Sequence, residues 1–393
     1  MKRLAFVVQR YGPEVVGGAE EHCRQVVERL APRFRIEVFT TCARDYLTWA
    51  NAYPAATQVV GGVPVHRFAV ARRRRVRAFG RFSQRVYDRP HTFRDEAEWM
   101  DRQGPDAPGL LEAIARRREE FNLFFFFTYL YPPTFFGLPL VADRALLLPT
   151  AHEEPPIRLG ISRPLFHLPR GIIYNTEEER AFIHRHFHNE HVPSIIGGMG
   201  VDLPPLVADA PPAREPFLLY LGRVDVAKGC GELVETYQRW ADRRPAPPRL
   251  LLAGEVKMRL PRDKRIEALG FISEERKGEL LTETRALVLP SRQESLSLVA
   301  LEAWARATPV IARSDSAVLA GHLARGGGGW SYADAAGFAT AVDALLADPA
   351  EAAQRGRAGR AYVAERYTWE RTLAAYGSFI ERTIAIAEQA QTA

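Results

Sequence analysis

The sequence predicts an α/β protein composed of two doubly wound, Rossmann-like domains. The first observation is a series of short, unbroken apolar runs, and the second is an amphipathic helical pattern between successive runs. Together these patterns are typical of parallel sheets that helices cover on both faces. The third is a Pro-rich segment from Val207 to Pro216, after which the alternation starts again. This segment therefore indicates a linker between two domains.

Each strand of the first domain is predicted from one apolar run. A helical pattern, GGAEEHCRQVVERLA, follows the first of these runs. We assign residues 1–203 to this domain. The runs are LAFVVQ (4–9), RIEVFTT (35–41), VPVHRFAV (63–70), FNLFFFF (121–127), ALLLPT (145–150) and GIIYNT (171–176).

The second domain, residues 204–370, repeats the alternation of strands and helices. A final helical stretch contains no strand, and we expect residues 371–393 to form a helix that packs back on the first domain. Two such sheets joined by a linker would face each other across a cleft, with ligands bound beyond the carboxyl ends of the strands. The runs are FLLYLG (217–222), RLLLAG (249–254), ALVLP (286–290) and PVIAR (309–313).

Composition excludes several classes of protein. Apolar residues make up 47% and charged residues 25% of the 393 residues, as in ordinary globular proteins. The net charge of +6 suits anionic ligands or a membrane surface, and we expect no nucleic-acid partner. Three cysteines without a CxxC pair indicate a reducing compartment and no structural zinc.

The most apolar region, residues 121–142, is interrupted by prolines and predicts a buried strand, a turn and a packed helix rather than a membrane-spanning helix. Pro132, Pro133 and Pro139 interrupt it, whereas a spanning helix needs about 20 continuous apolar residues. The apolar stretch at the N-terminus is also too short for a signal peptide. We therefore expect a cytoplasmic protein.

The loop after the first strand contains Gly17 and Gly18, just before a helix predicted to start near Ala19. Glycines let the backbone approach a ligand closely, and a helix N-terminus offers N–H groups to an anion. A turn that only starts the helix explains the glycines equally well. No GxGxxG pattern occurs here, which disfavours a nicotinamide cofactor.

Two cations follow the first strand of the second domain. Arg223 and Lys228, with Gly229 directly after, lie between a strand and a helix. A planar guanidinium and an ammonium group at this position are suited to a diphosphate. The alternative is a solvated basic loop.

The stretch SRQESLSLVALEAW contains two glutamates, Glu294 and Glu302, with seven residues between them. We predict Ser297 as the N-cap of a helix that buries Leu298, Leu301 and Ala305. On one helix the carboxylates would be about 12 Å apart. That exceeds the roughly 5–9.5 Å of glycosidase pairs, so the spacing disfavours hydrolysis. The alternative is that Glu302 is exposed and Glu294 only favours the helix dipole.

These loops together carry a resemblance to a family. GRVDVAKG (222–229) and LPSRQESLSLVALEAWARATPVIA (289–312) are similar to the donor domain of retaining glycosyltransferases of family 4, which have the GT-B fold. GGAE, TAHEE, GMGVD and RYTWERTLAAYGSF fall where that family has counterparts. The resemblance covers nearly the whole chain and implies that the first domain binds the acceptor and the second the donor.

The resemblance also implies a role for each site residue. Arg223 and Lys228 would hold the donor diphosphate, Glu302 the ribose hydroxyls, and Glu294 the transferred sugar. The remaining implied contacts are backbone N–H groups of Leu296, Ser297 and Leu298 at the sugar and phosphate, His152 at the reaction centre, Gly17 and Gly18 at the phosphates and acceptor, and Phe271 and Ile272 at the base.

The chain departs from the family pattern at three places. Ser295-Leu296-Ser297 replaces the usual Gly-Phe-Gly, which reshapes the sugar pocket. Met199 stands for a usual Asn, and the glycines expected after PVIAR occur only at Gly326–Gly329. The donor sugar is therefore left open. The nucleotide is open as well, among UDP-, GDP- and ADP-sugars, and the acceptor is open among glycans, lipid-linked molecules and small molecules.

No Asp-x-Asp motif occurs in the chain, so we expect no metal or other cofactor. The cationic pair and helix N-termini would instead stabilise the leaving diphosphate. We hypothesise front-face attack by the acceptor hydroxyl with retention at the anomeric carbon. The domains would close over the donor and exclude water.

Three other patterns leave alternatives open. His184, His188 and His191 share a predicted helix face, which suits either a metal site or a basic surface. The basic run around Arg72–Arg75 suits anionic lipid at the inner membrane face, a phosphate-bearing acceptor or a solvated loop. Glu153 and Glu154 could orient an acceptor hydroxyl or lie at the surface.

Two further functions remain open from the sequence. One is a nucleotide-sugar epimerase or hydrolase of similar fold, and the other is a non-catalytic, transferase-like partner subunit. Intact Arg223, Lys228, Glu294 and Glu302 argue against the partner subunit, since a degenerate site should have lost some of them.

Overall fold

A computed structural model describes residues 1–15, 17–206 and 215–392. The chain divides into two compact units: Met1–Met199 with Thr372–Ala393, and Gly200–Arg371. The predicted boundaries after residues 203 and 370 lie close to these divisions. Most of the predicted linker, residues 207–214, lies outside the described residues.

Both units are built from strands and helices, which alternate over most but not all of their length. The strands are β1 Arg3–Val7, β2 Arg35–Thr41, β3 Thr57–Val60, β4 Val63–Phe68, β5 Leu123–Phe127, β6 Ala145–Leu148, β7 Gly171–Tyr174, β8 Ser194–Ile196, β9 Phe217–Leu221, β10 Arg249–Ala253, β11 Ile266–Gly270, β12 Ala286–Leu289, β13 Val310–Arg313 and β14 Gly329–Tyr332. The helices are α1 Gly18–Leu30, α2 Val76–Asp88, α3 Phe93–Gln103, α4 Pro108–Arg116, α5 Pro132–Gly137, α6 Glu177–Phe187, α7 Cys230–Ala241, α8 Glu274–Glu283, α9 Leu298–Ala305, α10 Ala317–Gly326, α11 Ala335–Ala347, α12 Pro349–Arg366 and α13 Trp369–Thr392.

The sheet of the first unit has the order β3-β4-β2-β1-β5-β6-β7-β8. All its pairs are parallel except β3 with β4. Every residue of β5, β6 and β7 is buried, as their unbroken apolar sequences predict for strands covered on both faces. The order reverses between β1 and β5, which places a topological switch point there.

The C-terminal helix α13 returns to the first unit, as predicted. The Tyr376 hydroxyl donates to the carbonyl oxygen of Gly198 at 3.2 Å and lies 3.2 Å from Nε2 of His22 in α1. Farther along, Arg33 pairs with Glu381 at 2.7 Å. These contacts attach the end of the chain to the first sheet and its helices.

The sheet of the second unit has the order β11-β10-β9-β12-β13-β14, and all its pairs are parallel. This is the strand order of the Rossmann fold, with its switch point between β9 and β12. Both units thus have the predicted doubly wound architecture. Along the described parts of the chain, none of the helices combines the length and apolarity that crossing a membrane requires.

Candidate active site

Two of the loops that carry predicted site residues meet at the switch point of the second sheet. The loop after β9 holds Arg223 and Lys228, and the loop after β12 holds Glu294. Because β9 and β12 are neighbouring parallel strands, their carboxyl ends lie side by side. The Nζ atom of Lys228 is 3.0 Å from Oε1 of Glu294, which lies 66 positions away along the chain.

Asp225, which the sequence patterns did not single out, completes this cluster. Its Oδ2 pairs with Nε of Arg223, and its Oδ1 accepts a hydrogen bond from the backbone N–H of Lys228 at 2.8 Å. Gly229 has a φ of 78°, and a Cβ there would lie 2.5 Å from the carbonyl oxygen of Pro290. Glycine therefore lets the β9 loop pass close to the β12 loop.

The cluster balances two cations with two carboxylates. The side chains of Arg223 and Lys228 are 34% and 36% exposed, so an anion from solvent can reach both. A diphosphate offers several charged oxygens to the guanidinium fork and the ammonium group together. The arrangement can therefore exchange its internal ion pairs for contacts with a bound diphosphate.

Glu302, in the second turn of α9, is paired with Lys277 of α8 at 2.8 Å between Oε1 and Nζ. Both side chains are mostly buried, so the alternative of an exposed helix glutamate is wrong. Burial raises the pKa of Glu302, and Lys277 opposes that rise. The second oxygen, Oε2, is buried without a hydrogen-bond partner among the residues described, so one acceptor of this carboxylate is unsatisfied.

Lys277 is a second residue that the sequence patterns missed. Burial lowers the pKa of its ammonium group, but attraction to Glu302 and Glu274 outweighs burial, and the pKa is raised. Lys277 thus stays charged and fixes the position of the Glu302 carboxylate. It lies in a helix of mixed charge, where nothing in the sequence distinguishes it from Arg276 beside it.

Ser297 is the residue before α9, as predicted, but its side chain does not cap the helix. Its φ of 60° and ψ of 64° are left-handed, whereas a capping serine has extended backbone angles. The Ser297 hydroxyl is buried without a hydrogen-bond partner within the described structure. Leu301 and Ala305 are buried as predicted, whereas Leu298 is only partly buried. Glycine would adopt this positive φ without strain, whereas serine does so at a cost.

Ser297→Gly is expected to be more stable than Ser297→Ala by about 0.5–1 kcal/mol. Relief of left-handed strain gives roughly 1–2 kcal/mol, and the greater freedom of glycine in the unfolded chain offsets part of it. Both variants lack the hydroxyl, so their difference in urea-unfolding free energy isolates the backbone. Equal stabilities would mean that residue 297 is not left-handed.

His322 of α10 supports the Leu296–Ser297 segment from behind. It is fully buried, with Nε2 3.0 Å from the carbonyl oxygen of Leu296 and Nδ1 2.9 Å from the Tyr362 hydroxyl. Trp304 packs edge-on against the same imidazole. The strained segment is therefore held by a buried aromatic cluster.

In the first unit, Gly17 directly precedes α1, which begins at Gly18. A Cβ on Gly17 would lie 2.2 Å from Oε2 of Glu20 and 3.0 Å from Nη2 of Arg10. These two form a buried ion pair at 2.6 Å. Packing against the ion pair thus accounts for Gly17 within the protein, whereas Gly18 faces open space. Ligand contact at both glycines stays a prediction.

The loops after β5 and β6 carry strained residues beside His152. Thr128 and Thr150 have φ values of 63° and 49°, which are uncommon for β-branched residues. Strain of this kind clusters at functional sites. Glu154 accepts a hydrogen bond from the Tyr129 hydroxyl at 2.7 Å, and its Oε2 is 3.6 Å from Nε2 of His152.

The two glutamates of this loop differ in environment. Glu154 is turned inward, so a surface position is wrong for it. Glu153 is exposed and pairs with Arg158, so the surface alternative is correct for that residue.

The predicted base-binding residues follow β11 at the edge of the second sheet. Phe271 is 75% exposed, and Ile272 is partly buried. An exposed ring at the carboxyl end of a strand offers a face on which a nucleobase could stack. The structure does not bring these residues into contact with Glu302, so their role stays a prediction.

The predicted histidine face does not form. Helix α6 ends at Phe187, and His188 follows in a left-handed conformation with φ of 55°, so the chain turns away before His191. His191 instead stacks on His167 at 5.3 Å. Across the described ranges, no group of three or more His, Cys, Asp or Glu side chains could hold a metal ion.

Two solved structures of other proteins share the fold of this chain. Sucrose-phosphate synthase from Thermosynechococcus elongatus superposes with a TM-score of 0.74 at 20% identity over 98% of this chain and 100% of that one. Anabaena HepE in complex with UDP and glucose gives 0.70 at 16% identity over 97% and 100%. The chain therefore has the GT-B fold that the resemblance implied.

The family match lies in the second unit. Residues 215–348 match the family model described as Glycosyl transferases group 1. Glycogen synthase of Mycobacterium tuberculosis is 34% identical over 179 residues, 42% of either chain. A D-inositol 3-phosphate glycosyltransferase of Pseudarthrobacter chlorophenolicus is 29% identical over 276 residues, 61% of this chain and 64% of that one. The chain matches less than two thirds of each of these relatives.

Proposed function

We propose that the chain is a retaining, metal-independent hexosyltransferase that moves a sugar from a nucleotide diphosphate sugar to an acceptor hydroxyl. The observation that carries this proposal is the meeting of Lys228 and Glu294, beside Arg223, at the switch point of the second sheet. A family match over the same residues and a fold shared with a protein solved in complex with UDP-glucose support it.

The chemical problem is to break a glycosidic C–O bond while the leaving diphosphate gains charge. Arg223 and Lys228 are already positioned at one strand end, so they can stabilise that charge without rearranging during the reaction. Two side-chain cations supply positive charge of the kind a divalent ion would otherwise provide. The acceptor hydroxyl attacks the anomeric carbon on the face from which the diphosphate leaves, and its proton passes to a phosphate oxygen.

Donor binding would exchange the partners of the two glutamates. When the diphosphate takes Lys228, the Glu294 carboxylate is released to accept hydrogen bonds from hydroxyls of the transferred sugar. Glu302 keeps Lys277 on one oxygen and offers the other to the ribose. The two glutamates would therefore hold opposite ends of the same donor.

The proposal also concerns which donor sugar and which acceptor the site takes. Ser295 and Ser297, in place of glycines, would narrow the pocket around the sugar. UDP-, GDP- and ADP-sugars fit the cationic pair equally, since all carry a diphosphate. Names of relatives suggest two acceptors to test first, glycogen and D-inositol 3-phosphate.

The test is to mix the protein with UDP-glucose, GDP-mannose or ADP-glucose, each with glycogen, D-inositol 3-phosphate or no acceptor, in buffer containing EDTA. We expect release of nucleoside diphosphate that depends on an acceptor and is insensitive to EDTA. Release of free sugar at the same rate without acceptor would favour a hydrolase, and interconversion of donors an epimerase. Absence of nucleotide binding by calorimetry would favour a non-catalytic partner subunit.

The predicted lipid contact through Arg72–Arg75 stays a prediction, but two of these arginines also contact other parts of the first unit. Arg72 pairs with Asp101 at 2.6 Å and Asp106 at 2.8 Å. Arg74 lies over Trp49 and donates to Oε1 of Gln103 at 2.7 Å. Two of the four arginines therefore stabilise the fold, because they link the run to α3 and the segments around it.

Other exposed arginines lie just before α2 and in its first two turns. Arg73, Arg75, Arg77 and Arg81 are exposed, and none forms an ion pair with any residue that the structure describes. Val76, between them, is also exposed. We propose that this surface, the α2 arginine patch, contacts anionic lipid headgroups.

Replacing the α2 arginine patch with glutamine is expected to abolish flotation with phosphatidylglycerol vesicles. Each arginine near an anionic surface contributes about 1 kcal/mol, so the loss should exceed a hundredfold in partition constant. Binding by the native chain should weaken with salt. A matched control replaces four exposed arginines elsewhere: Arg35, Arg116, Arg185 and Arg262. Equal flotation of the two variants, or binding to phosphatidylcholine alone, would rule out the patch.

A further inference from the structure

A buried carboxylate joins two loops of the first unit. The Glu179 side chain, in the first turn of α6, is 2% exposed. Its Oε1 accepts a hydrogen bond from the backbone N–H of Ala151 at 2.5 Å, and its Oε2 accepts one from the N–H of Asn175 at 2.6 Å. These N–H groups belong to the loops after β6 and β7, which are neighbouring strands. Glu179 therefore ties two loops together at the carboxyl edge of the sheet.

The loop after β6 is strained at the point where Glu179 holds it. Thr150, directly before Ala151, is left-handed, which costs on the order of 1–3 kcal/mol at a non-glycine residue. The N–H of Ala151 donates to Glu179 and to no backbone carbonyl. His152 follows directly, so the path of the backbone at Ala151 sets where its imidazole lies.

We infer that Glu179 is a positioning residue that holds the His152 loop in the conformation needed for sugar transfer. The inference rests on the proposed function, because His152 matters only if the chain transfers a sugar. Glu179 would touch neither donor nor acceptor. It would act through the backbone of Ala151.

A carboxylate suits this position better than an amide. Both oxygens face N–H donors, and an ionised carboxylate can accept from both, whereas a glutamine would turn its NH2 group towards one of them. Burying a carboxylate without a cation is costly, and none of the described cations pairs with Glu179. Only the ionised form of Glu179 can therefore accept from both N–H groups.

Two tyrosines near Glu179, and a histidine that contacts one of them, carry no charge near neutral pH. Burial raises the pKa of Tyr174 on β7 and of Tyr376 on α13, so both phenols stay neutral. Burial lowers the pKa of His22 on α1 to about 4, so this imidazole is uncharged. The charged neighbour on α6 itself is Arg180, which is partly exposed.

Burial raises the pKa of Glu179 to about 8, although the two N–H groups oppose the shift. Because the folded chain binds the proton more tightly than the unfolded chain, stability falls as pH rises from the ordinary glutamate range through 8. Ionisation also strengthens the contact with Ala151, so transfer should become faster over the upper part of that range. A residue that only stabilised the fold would not make activity and stability change in opposite directions.

The experiment compares the native chain with Glu179→Gln and with Glu177→Gln, a control that removes an exposed carboxylate from the same helix turn. We expect kcat of Glu179→Gln at pH 8.5 to fall about 10- to 100-fold, as for a misplaced catalytic group, with donor KM within about twofold. The rise in kcat near pH 8 should disappear in Glu179→Gln and remain in Glu177→Gln. Identical pH profiles for all three proteins would overturn the inference.

A second measurement needs neither activity nor a folded variant. In native protein labelled with 15N-alanine, the amide resonance of Ala151 should shift between pH 7 and 9 as its acceptor ionises. A resonance that does not move over this range would contradict the Glu179 contact. If Ala151 titrates but no donor is transferred by the native chain, the proposed function fails while the loop contact stands.

Discussion

Lys228→Ala is expected to lower kcat by roughly 10²–10³-fold, the usual effect of removing one preorganised donor from a developing charge. Lys228 is half of the cationic pair that would receive the leaving diphosphate, and its loss also leaves Glu294 without its cation. Steady-state kinetics with the donor that proves active will measure the effect. Lys264→Ala, at an exposed lysine of the same unit, is the matched control.

A double variant separates the two consequences of losing Lys228. In Lys228→Ala, an unpaired Glu294 carboxylate would repel the diphosphate, and Lys228→Ala with Glu294→Gln removes that repulsion. If the cation is what matters, the double variant stays at least 100-fold below the native rate. Recovery to within tenfold would mean that Lys228 serves only to neutralise Glu294.

Replacing Glu302 and replacing Glu294 are expected to affect different steps of the reaction. Glu302→Ala is expected to weaken donor binding by about 10- to 100-fold, because charge-assisted hydrogen bonds to ribose contribute roughly 1.5–3 kcal/mol. Glu294→Ala is expected mainly to slow transfer, because the transferred sugar changes most in the transition state. Calorimetry with UDP, GDP and ADP, combined with kcat measurements, distinguishes the two.

Removing Glu302 also leaves the mostly buried Lys277 with only the exposed Glu274 as its carboxylate partner, which is expected to destabilise the α8–α9 region. Glu302→Gln keeps one acceptor oxygen, which can face Lys277 or the ribose but not both, whereas Lys277→Met breaks the pair and leaves the carboxylate. We expect nucleotide affinity to follow the order native, Glu302→Gln, Glu302→Ala. If Lys277→Met weakens binding as much as Glu302→Ala, the effect comes from the fold of the α8–α9 region and not from ribose contact.

The sequence predicted the sheets well because buried parallel strands have an unmistakable pattern. LFFFF and ALLL cannot be solvent-exposed or half-buried, and the structure buries every one of their residues. Strand ends then locate the loops, and the strand order of a doubly wound sheet places the loops after β9 and β12 side by side. That reasoning is sufficient to bring Lys228 and Glu294 together.

Partners and backbone angles could not be predicted in the same way. Serine before a helix normally caps it, and only the three-dimensional path of the β12 loop makes Ser297 left-handed. The pairing of Lys277 with Glu302, and of Arg72 with Asp101, joins residues from separate elements whose distance no local pattern reveals. Glu179 is a further example, since a glutamate in the first turn of a helix is usually an exposed residue that favours the dipole.

Proton NMR of the reaction in buffer containing EDTA shows the configuration of the product and the need for metal in one experiment. With UDP-glucose, GDP-mannose and ADP-glucose tested in turn against glycogen and D-inositol 3-phosphate, we expect a new glycoside whose anomeric proton has the coupling of the donor configuration. Its appearance should coincide with release of the nucleoside diphosphate. A glycoside of inverted configuration, or transfer that begins only when a divalent metal is added, would contradict the account.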